Sequence, residues 1–412
     1  MSSAEVVIVG GGPAGAATAI ALARAGRDVL VLERSRFPRD KPCGDCANPG
    51  SLEELRRLGV AERLEPLLRP HELRGWYVEA PDGSAFRAEF GRSRSGDAAP
   101  QLGWAVRRRD LDRALLNEAE RAGARVRFGF RVFDVTRRGK RVCGVVGRSG
   151  AYGEETIRAS WVVGADGLRS VVRRRLSVKA PQPRVKKIAL VGHLAGDWSG
   201  SAGFGELRVR DGRCCGFAPL ASGAGANITL VVPQAEAKQI GGDARGFLQS
   251  ALNGFPEVAA RLRLAALDPR VMVTGPFDVS VRRPSFAGAL LVGDAAGYFD
   301  PFTGQGINQA LRGARWAAVA IEAALREPRR ERRALRWYAL QVRRHNAATH
   351  GLQRVIDAVI SRPALMSAFI RVLSRGESQA ARRLLRVTGD LADPVTLLDP
   401  LVWLRPPLRA TG

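Results

Sequence analysis

The chain has 412 residues, enough for two or three domains with a large core. An apolar content of 45% and a charged content of 25% are typical of a folded globular protein and exclude a largely disordered one. The formal net charge of +25 comes mostly from arginine and favours anionic partners, among them nucleotide cofactors, acidic substrates and membrane head groups. No aromatic-and-basic motif of a nucleic-acid-binding module accompanies this charge, so nucleic acid is not an expected partner.

The N-terminal segment has the pattern of a strand, a glycine-rich turn and a helix. The β-branched residues 6–9 suit a buried parallel strand, and Gly10-x-Gly12-x-x-Gly15 follows them directly. In this context Gly10 allows a tight turn, Gly12 lets the backbone approach a pyrophosphate, and Gly15 lets the helix pack on the strand. A second strand then ends at Glu33, which would accept hydrogen bonds from a ribose diol. The segment therefore predicts a dinucleotide site, without distinguishing NAD from FAD.

Residues 6–23 carry no charged side chain, as in a signal peptide or a membrane span. However, Glu5 precedes them, no basic segment does, and the glycines of residues 10–12 interrupt them. A turn is therefore the better interpretation, and a cytoplasmic location is expected.

The five cysteines are an odd number without a secretory context, which argues against structural disulfides. Cys43-Gly44-Asp45-Cys46 is an isolated C-x-x-C motif, and the four histidines are scattered, so no metal site is predicted. Cys43 and Cys46 are either neutral packing groups beside a loop or thiols near a redox centre.

The residues between 51 and 170 alternate helical and strand-like patterns. Ser51 is a suitable N-cap, with Glu54 three residues later as in a capping box. An apolar run at residues 161–163 ends at Gly164-Ala165-Asp166-Gly167 and places a carboxylate beside glycines. The other expected elements are a hairpin of residues 71–80 and 84–90, a helix of residues 105–122, and strands at residues 124–132 and 141–148.

From about residue 180 the pattern changes to short strands, which predicts a mostly antiparallel sheet around one helix of residues 236–252. The strands are expected at residues 187–195, 205–211, 214–219, 227–233 and 270–279.

The chain then returns to the first domain. Apolar residues 289–292 end in Gly293-Asp294, as a buried strand does when it delivers a carboxylate to a site. After a turn-rich loop, a helix is predicted to begin at Gly304-Gln305-Gly306. The backbone N–H groups of this helix terminus carry partial positive charge and would allow a flat, electron-rich ligand to approach closely.

Beyond residue 325 the sequence is Arg-rich, and its pattern predicts helices to the end. This pattern is typical of a solvated helical cap on the sheet domain. The alternative is an amphipathic, basic surface that makes peripheral contact with a membrane. The sequence gives no sign of an obligate protein partner.

Three motifs now stand in order: Gly10-x-Gly12-x-x-Gly15 with Glu33, then Gly164-Ala-Asp166-Gly167, then Gly293-Asp294-Ala-Ala. Over residues 4–325 they resemble the single-Rossmann FAD-dependent oxidoreductases, a superfamily that includes class A flavin monooxygenases, geranylgeranyl reductases and flavin halogenases. The resemblance implies an α/β fold of the para-hydroxybenzoate-hydroxylase type. It consists of a Rossmann-like FAD-binding domain, an inserted, mostly antiparallel β-sheet substrate domain and a C-terminal helical region. The expected ranges are 1–70, 101–180 and 281–328 for the first, 71–100 and 181–280 for the second, and 329–412 for the third.

The resemblance also implies the cofactor contacts. Arg108 matches the arginine of an R-x-x-[FL]-D pattern that reaches the cofactor, and Asp166, counted among the cofactor residues, would hold the fold together near the nicotinamide approach. The residues implied for the nucleotide half are Gly10, Gly12, Pro13, Ala14 and Gly15 at the pyrophosphate, Glu33 at the ribose, and Arg34 and the backbone of Val132 at the adenine. Those implied for the flavin half are Cys43, Gly44, Gly293, Asp294, Pro301, Gly304, Gly306 and Ile307. The amides of Gly306 and Ile307 would stabilise the negative charge that reduction places on the flavin.

The features that separate the subfamilies disagree. Residues 301–308 have the hydroxylase form P-x-x-G-Q-G-x-N. With the apolar middle domain they favour an NAD(P)H- and O2-using monooxygenase of secondary metabolism, acting on a hydrophobic aromatic, quinone or lipid-like metabolite. Residues 37–45 instead resemble the geranylgeranyl-reductase branch and favour a reductase that saturates prenyl C=C bonds, with Cys43 or Asp45 as the catalytic acid.

A flavin halogenase and an electron-transfer flavoprotein are the remaining alternatives, and the W-x-W-x-I-P motif of halogenases is absent from the sequence. Because only one dinucleotide fingerprint is visible, NAD(P)H is expected as a transient electron donor, or a separate reductase in its place.

Overall fold

The computed structural model describes residues 3–92, 99–150, 153–178, 187–196, 203–221, 225–262, 267–375, 378–399 and 401–404. Its strands are β1 (Ser3–Val9), β2 (Val29–Glu33), β3 (Cys46–Ala47), β4 (His71–Leu73), β5 (Gly75–Glu79), β6 (Ala85–Glu89), β7 (Gly103–Ala105), β8 (Arg125–Phe128), β9 (Phe130–Arg138), β10 (Arg141–Ser149), β11 (Glu155–Gly164), β12 (Lys187–Leu194), β13 (Phe204–Arg210), β14 (Arg213–Pro219), β15 (Ala226–Pro233), β16 (Met272–Thr274), β17 (Ser285–Phe286) and β18 (Ala289–Leu291). Its helices are α1 (Pro13–Arg24), α2 (Pro49–Arg57), α3 (Ala61–Leu68), α4 (Arg108–Arg121), α5 (Val171–Arg175), α6 (Ala237–Ile240), α7 (Ala244–Leu252), α8 (Pro256–Leu262), α9 (Gly306–Arg326), α10 (Glu331–Ile360), α11 (Pro363–Leu373), α12 (Gln379–Thr388) and α13 (Leu401–Leu404).

The first sheet is built around β1, to which β11 and β2 pair in parallel. Its order in the described residues is β17-β18-β11-β1-β2-β8, and β10 and β9 extend it from β11 as antiparallel strands. Strands β1 and β2 are nearly continuous apolar runs, as expected for parallel strands covered on both faces. Helix α1 packs on both strands and contacts α4 and α9. This arrangement confirms the predicted α/β, Rossmann-like fold.

The second sheet has the order β16-β12-β15-β14-β13-β5-β6 and is antiparallel except where β13 runs parallel to β5. Two elements predicted beyond residue 180 differ from the structure. The strand expected at residues 270–279 is the short β16, because Gly275 has φ +127° and Pro276 has no N–H to donate. The helix expected at residues 236–252 is split into α6 and α7, because Gly241 ends α6 in a left-handed conformation.

Helix α2 begins before Ser51, so the predicted N-cap was wrong. The N-cap is Asn48, whose Oδ1 accepts a hydrogen bond from the Ser51 backbone N–H at 3.0 Å. The Glu54 carboxylate accepts a hydrogen bond from Nε of Arg315 in α9, at 2.8 Å, instead of closing a capping box.

The strands of the first sheet lie within the predicted ranges 1–70, 101–180 and 281–328, and those of the second within 71–100 and 181–280. A small third sheet, β3-β7-β4, connects the two predicted domains, because β4, in the range 71–100, pairs with β7, in the range 101–180. The domain boundaries themselves stay a prediction.

The C-terminal helices form a layer beside the second sheet. Helix α10 packs on α9, α11 packs on α10 and β6, and α12 packs on β6. Buried apolar side chains of α11, α12 and the end of α10 share one core with Val78 and Phe86 of the sheet. In the described ranges, no helix has both the length and the apolar character needed to cross a bilayer.

Candidate active site

The turn between β1 and α1 has the shape of a diphosphate cradle. Gly10 has φ +103°, and a Cβ on Gly15 would lie 1.9 Å from the Gly10 carbonyl oxygen, so both positions require glycine. A Cβ on Gly12 would meet no atom nearer than Nη2 of Arg39, at 3.7 Å. Helix α1 begins at Pro13, so the positive end of its dipole lies beside this open space.

Glu33 ends β2 next to this turn and is buried. Its Oε2 accepts a hydrogen bond from the Gly11 N–H (2.8 Å), and its Oε1 accepts one from the Ser35 N–H (2.9 Å). The carboxylate is therefore fixed beside the glycines, where the sequence predicts ribose binding. Arg34 is exposed next to it and Val132 is buried in β9. Their adenine contacts stay predictions.

A cleft brings most of the predicted cofactor residues together. It lies between the loops that follow β1, β11 and β18 and one face of the second sheet, and its empty volume is about 1480 Å³ with the open mouth included. The second sheet gives it an apolar wall that includes Val191, Leu207 and Phe217. The predicted residues that line the cleft are Gly12, Pro13, Ala14, Cys43, Gly44, Arg108, Gly293, Asp294, Pro301, Gly304, Gly306 and Ile307. They come from four separate parts of the sequence, so the tertiary fold assembles the cleft.

The N-terminus of α9 forms one side of this cleft. The helix begins at Gly306 as the sequence predicts, and Gly304, with φ +67°, makes the turn before it. A Cβ on Gly304 would meet no atom within 4 Å, and one on Gly306 would meet only the Tyr298 ring, at 3.4 Å. A flat ligand can therefore approach the backbone N–H groups at the positive end of this helix.

Among the described residues, Lys41 and Arg108 are the cations that line the cleft, and Arg39 lies beside Gly12 at its edge. Sequence reasoning identified only Arg108. Arg108 Nε and Nη2 donate to the Asp112 carboxylate at 2.9 and 3.0 Å, and Arg39 Nη1 lies 3.1 Å from the same carboxylate. Burial lowers the pKa of Arg108, but Asp112 and Cys43 together more than offset this effect and the net pKa is raised. Lys41 Nζ lies 3.9 Å from Asp294 Oδ2, and its lost hydration lowers the pKa of its ammonium group. Arg39 and Lys41 follow the glycine motif in the basic residues 34–41, and that proximity was the signal that could have identified them.

These features fit a dinucleotide with a flat redox ring, and a family model described as an FAD binding domain matches residues 3–353. The chain belongs to this FAD-binding family. It is 32% identical over 325 residues to the menaquinone reductase of Mycolicibacterium smegmatis, and the alignment covers 76% of this chain and 75% of that protein. It is 28% identical over 345 residues to digeranylgeranylglycerophospholipid reductase 2 of Methanococcoides burtonii, and the alignment covers 78% of this chain and 76% of that protein. The solved myxobacterial chondrochloren halogenase CndH superposes with a TM-score of 0.81 at 23% identity, over 96% of this chain and 92% of that one, and so has the same fold.

The family membership makes the chain an FAD-dependent oxidoreductase and makes FAD its cofactor. The glycine cradle would hold the FAD diphosphate, since the space beside Gly12 is open and a Cβ on Gly15 would displace the Gly10 carbonyl that shapes the turn. Glu33 would hold the ribose, and the α9 terminus at Gly306 and Ile307 would lie against the flavin ring.

Asp45 does not line the FAD cleft, although the sequence made it a candidate acid. Its Oδ1 accepts a hydrogen bond from the Arg108 N–H (2.9 Å). Its Oδ2 lies 2.6 Å from His193 Nε2 and accepts a second hydrogen bond from Asn227 Nδ2 (2.8 Å). Asn227 Nδ2 also donates to the Cys43 carbonyl oxygen at 2.9 Å. Asp45 therefore holds the Cys43 loop against the second sheet.

Cys43 lines the cleft and remains a candidate acid. Burial raises the pKa of its thiol, Arg108 opposes this rise, and Asp45 adds to it. The pKa of Cys46 is raised further, again mainly by burial. Both thiols are therefore neutral near pH 7.

The Asp166 side chain holds its own loop, as the resemblance implies, and its contact with the cofactor stays a prediction. Its Oδ1 accepts a hydrogen bond from Ser170 Oγ (2.5 Å), and its Oδ2 accepts from the N–H groups of Val171 (2.6 Å) and Val172 (3.2 Å). The carboxylate thus satisfies the backbone at the start of α5 and holds its own loop. Its neighbour Gly167 lines the cleft.

A second cavity, here called the apolar chamber, lies between the second sheet and the C-terminal helices. Its empty volume is about 1530 Å³ with its opening included. The lining from α10, α11 and α12 is aliphatic and aromatic except for Thr388, and Thr303 is the other hydroxyl on its wall. Trp76, Leu207 and Phe302 line both the chamber and the FAD cleft. These three side chains form the boundary between the two spaces.

Asp390 joins the C-terminal helices to the FAD-binding domain. Its Oδ2 accepts a hydrogen bond from Asn48 Nδ2 (2.7 Å), and its Oδ1 accepts one from Gln305 Nε2 (3.0 Å). Gln305 is the residue immediately before α9, and Asp390 follows α12. Burial raises the pKa of Asp390 to about 6. The flavin side of the cleft and the wall of the chamber are therefore connected through one carboxyl group.

Proposed function

We propose that this protein is an FAD-dependent reductase that saturates a carbon–carbon double bond in a hydrophobic isoprenoid chain. The observation that supports this is the shared boundary of Trp76, Leu207 and Phe302. A long chain with one double bond in the FAD cleft would extend past these side chains into the apolar chamber. The names of two relatives, a menaquinone reductase and a digeranylgeranylglycerophospholipid reductase, support the same substrate class. This proposal ranks the reductase above the monooxygenase that the sequence favoured.

Saturation of an alkene requires a hydride at one carbon and a proton at the other. Reduced FAD supplies the hydride when bound, and NAD(P)H is the proposed source of its electrons. The Cys43 thiol would supply the proton, because it lines the cleft and its raised pKa keeps it protonated near neutral pH. Arg108 would stabilise the thiolate until a solvent proton restores the thiol. Asp45 would position the Cys43 loop through Asn227.

An anaerobic incubation of FAD-loaded protein with NADPH and a geranylgeranyl lipid tests this proposal by product mass. The product should gain two hydrogens for each reduced bond. Cys43→Ala should lower kcat by about 10²–10⁴, the usual contribution of a general acid, at unchanged FAD content. Cys143→Ala, which changes a half-buried cysteine outside the cleft, is the matched control. An unchanged substrate mass contradicts the reductase, and full kcat in Cys43→Ala contradicts the proton donor.

A monooxygenase is the second candidate, because residues 301–308 have the hydroxylase form and five of them line the cleft together with an apolar wall. Such a wall would exclude water from an oxygen-transfer reaction on an aromatic, quinone or lipid-like metabolite. Incorporation of labelled oxygen from O2 into the product would favour this candidate over the reductase.

A further inference from the structure

Three residues that line the apolar chamber are also exposed, and they mark its mouth. The exposed fractions are 62% for Val355, 63% for Val395 and 77% for Leu398. Val355 lies on α10, and the other two lie on the 3-10 turn Pro394–Leu398, which packs on α10. Large apolar side chains grouped at one opening are a common sign of a binding surface.

The surroundings of this mouth are basic. Residues 329–412 contain sixteen arginines against six acidic residues. Arg354, next to Val355, and Arg362, between α10 and α11, are exposed. Two carboxylates, Asp393 and Asp399, stand at the ends of the turn, and Asp393 caps it by accepting a hydrogen bond from the Val395 N–H at 2.9 Å. In the described part of this layer fourteen arginines stand against five acidic residues, so the layer that contains the mouth carries an excess of positive charge.

We propose that the mouth of the apolar chamber docks on an anionic lipid bilayer, from which the substrate chain enters the chamber directly. The entry of the substrate chain rests on the proposed function, whereas the docking rests on the exposed apolar and basic residues. Apolar side chains would enter the interface while the surrounding arginines contact anionic head groups. A second copy of this chain is a poorer occupant, because a net charge of +25 makes two such surfaces repel each other.

Co-sedimentation of the FAD-loaded full chain with vesicles tests the docking. The vesicles contain phosphatidylcholine alone or phosphatidylcholine with phosphatidylglycerol. The protein should bind the anionic vesicles, and added salt should weaken the binding. Leu398→Glu should weaken it by on the order of tenfold or more, because it replaces an exposed leucine that would enter the bilayer with a charge. Leu67→Glu is the matched control. It makes the same substitution at a leucine of α3 that is 61% exposed and lies outside the chamber, so binding should be unchanged.

Equal vesicle binding by Leu398→Glu and Leu67→Glu, or no binding to anionic vesicles, would overturn the proposal. So would dimerisation of the wild type that Leu398→Glu abolishes in sedimentation velocity, since a second copy would then cover the mouth. The reductase assay in detergent micelles needs no bilayer. Failure of docking therefore leaves that assay unaffected, and failure of the reductase proposal leaves vesicle binding unaffected.

Discussion

Gly351 offers a direct way to test whether a substrate chain occupies the apolar chamber. It lies inside helix α10 and lines the chamber, and a Cβ at this position would meet no atom within 4 Å. Gly351→Leu would therefore place its side chain in open space. Leucine also favours a helix over glycine by about 0.8 kcal/mol, so we expect the protein to fold and bind FAD normally.

The expected loss follows from the carbon atoms displaced. A leucine adds four carbons to the chamber, and each buried methylene contributes about 0.8 kcal/mol, so up to about 3 kcal/mol of chain binding is lost. This corresponds to a decrease of roughly 100-fold in kcat/KM for a chain long enough to reach Gly351. A short prenyl substrate that ends within the FAD cleft should keep its kcat/KM.

The assay compares kcat/KM for a long and a short prenyl substrate in the wild type, Gly351→Leu and Ala358→Leu. Ala358 lies on the same helix but is exposed and outside the chamber, so its variant should behave like the wild type. The chain does not occupy the chamber if Gly351→Leu keeps its melting temperature and loses the same activity on both substrates. The same conclusion follows if it loses activity on neither substrate.

Two further predictions concern the cofactor cradle and the Asp390 carboxyl group. Gly15→Ala should abolish flavin absorbance in purified protein, because the added Cβ lies 1.9 Å from a backbone oxygen, whereas Gly153→Ala has open space and should retain it. The raised pKa of Asp390, about 6 when folded, means that its protonated form favours the fold. Protonated Asp390 adds at most about 3 kcal/mol to the free energy of unfolding. This contribution is present below about pH 4 and lost as pH rises through about 6. Relative to Asp390→Asn, wild-type stability in urea should therefore fall between pH 4 and pH 7.

A yellow Gly15→Ala protein with normal FAD content would refute the assignment of the cradle. For Asp390, a difference between wild type and variant that does not change with pH would show that this carboxyl group does not titrate in that range.

The glycine cradle, Glu33 and the start of α9 could be predicted from the sequence because their requirements are local. A positive φ at Gly10 or a helix that begins at Gly306 depends on a few neighbouring residues. The apolar runs before Gly164 and Gly293 likewise identify strands whose ends reach one edge of a parallel sheet.

The role of Asp45 could not be predicted, because its partners His193 and Asn227 are 148 and 182 positions away in the sequence. Nothing in strands β12 and β15 distinguishes these two polar residues from solvent-facing ones before the sheets are assembled. The capping box at Ser51 failed for the same reason, since Glu54 is bound by Arg315, 261 residues away. Local patterns cannot account for a competing partner that the tertiary fold supplies.

The Asp390 bridge has a thermodynamic consequence for the two ligands. Helix α12 supplies Leu384, Leu385 and Thr388 to the chamber wall, and the carboxylate that follows it holds Gln305 at the start of α9. A chain that stabilises the position of α12 would also stabilise the helix terminus that faces the flavin. Binding free energies are reciprocal, so the factor by which a bound chain tightens FAD equals the factor by which FAD tightens the chain. If the proposed substrate chain binds there, the protein should retain FAD best while that chain is in place.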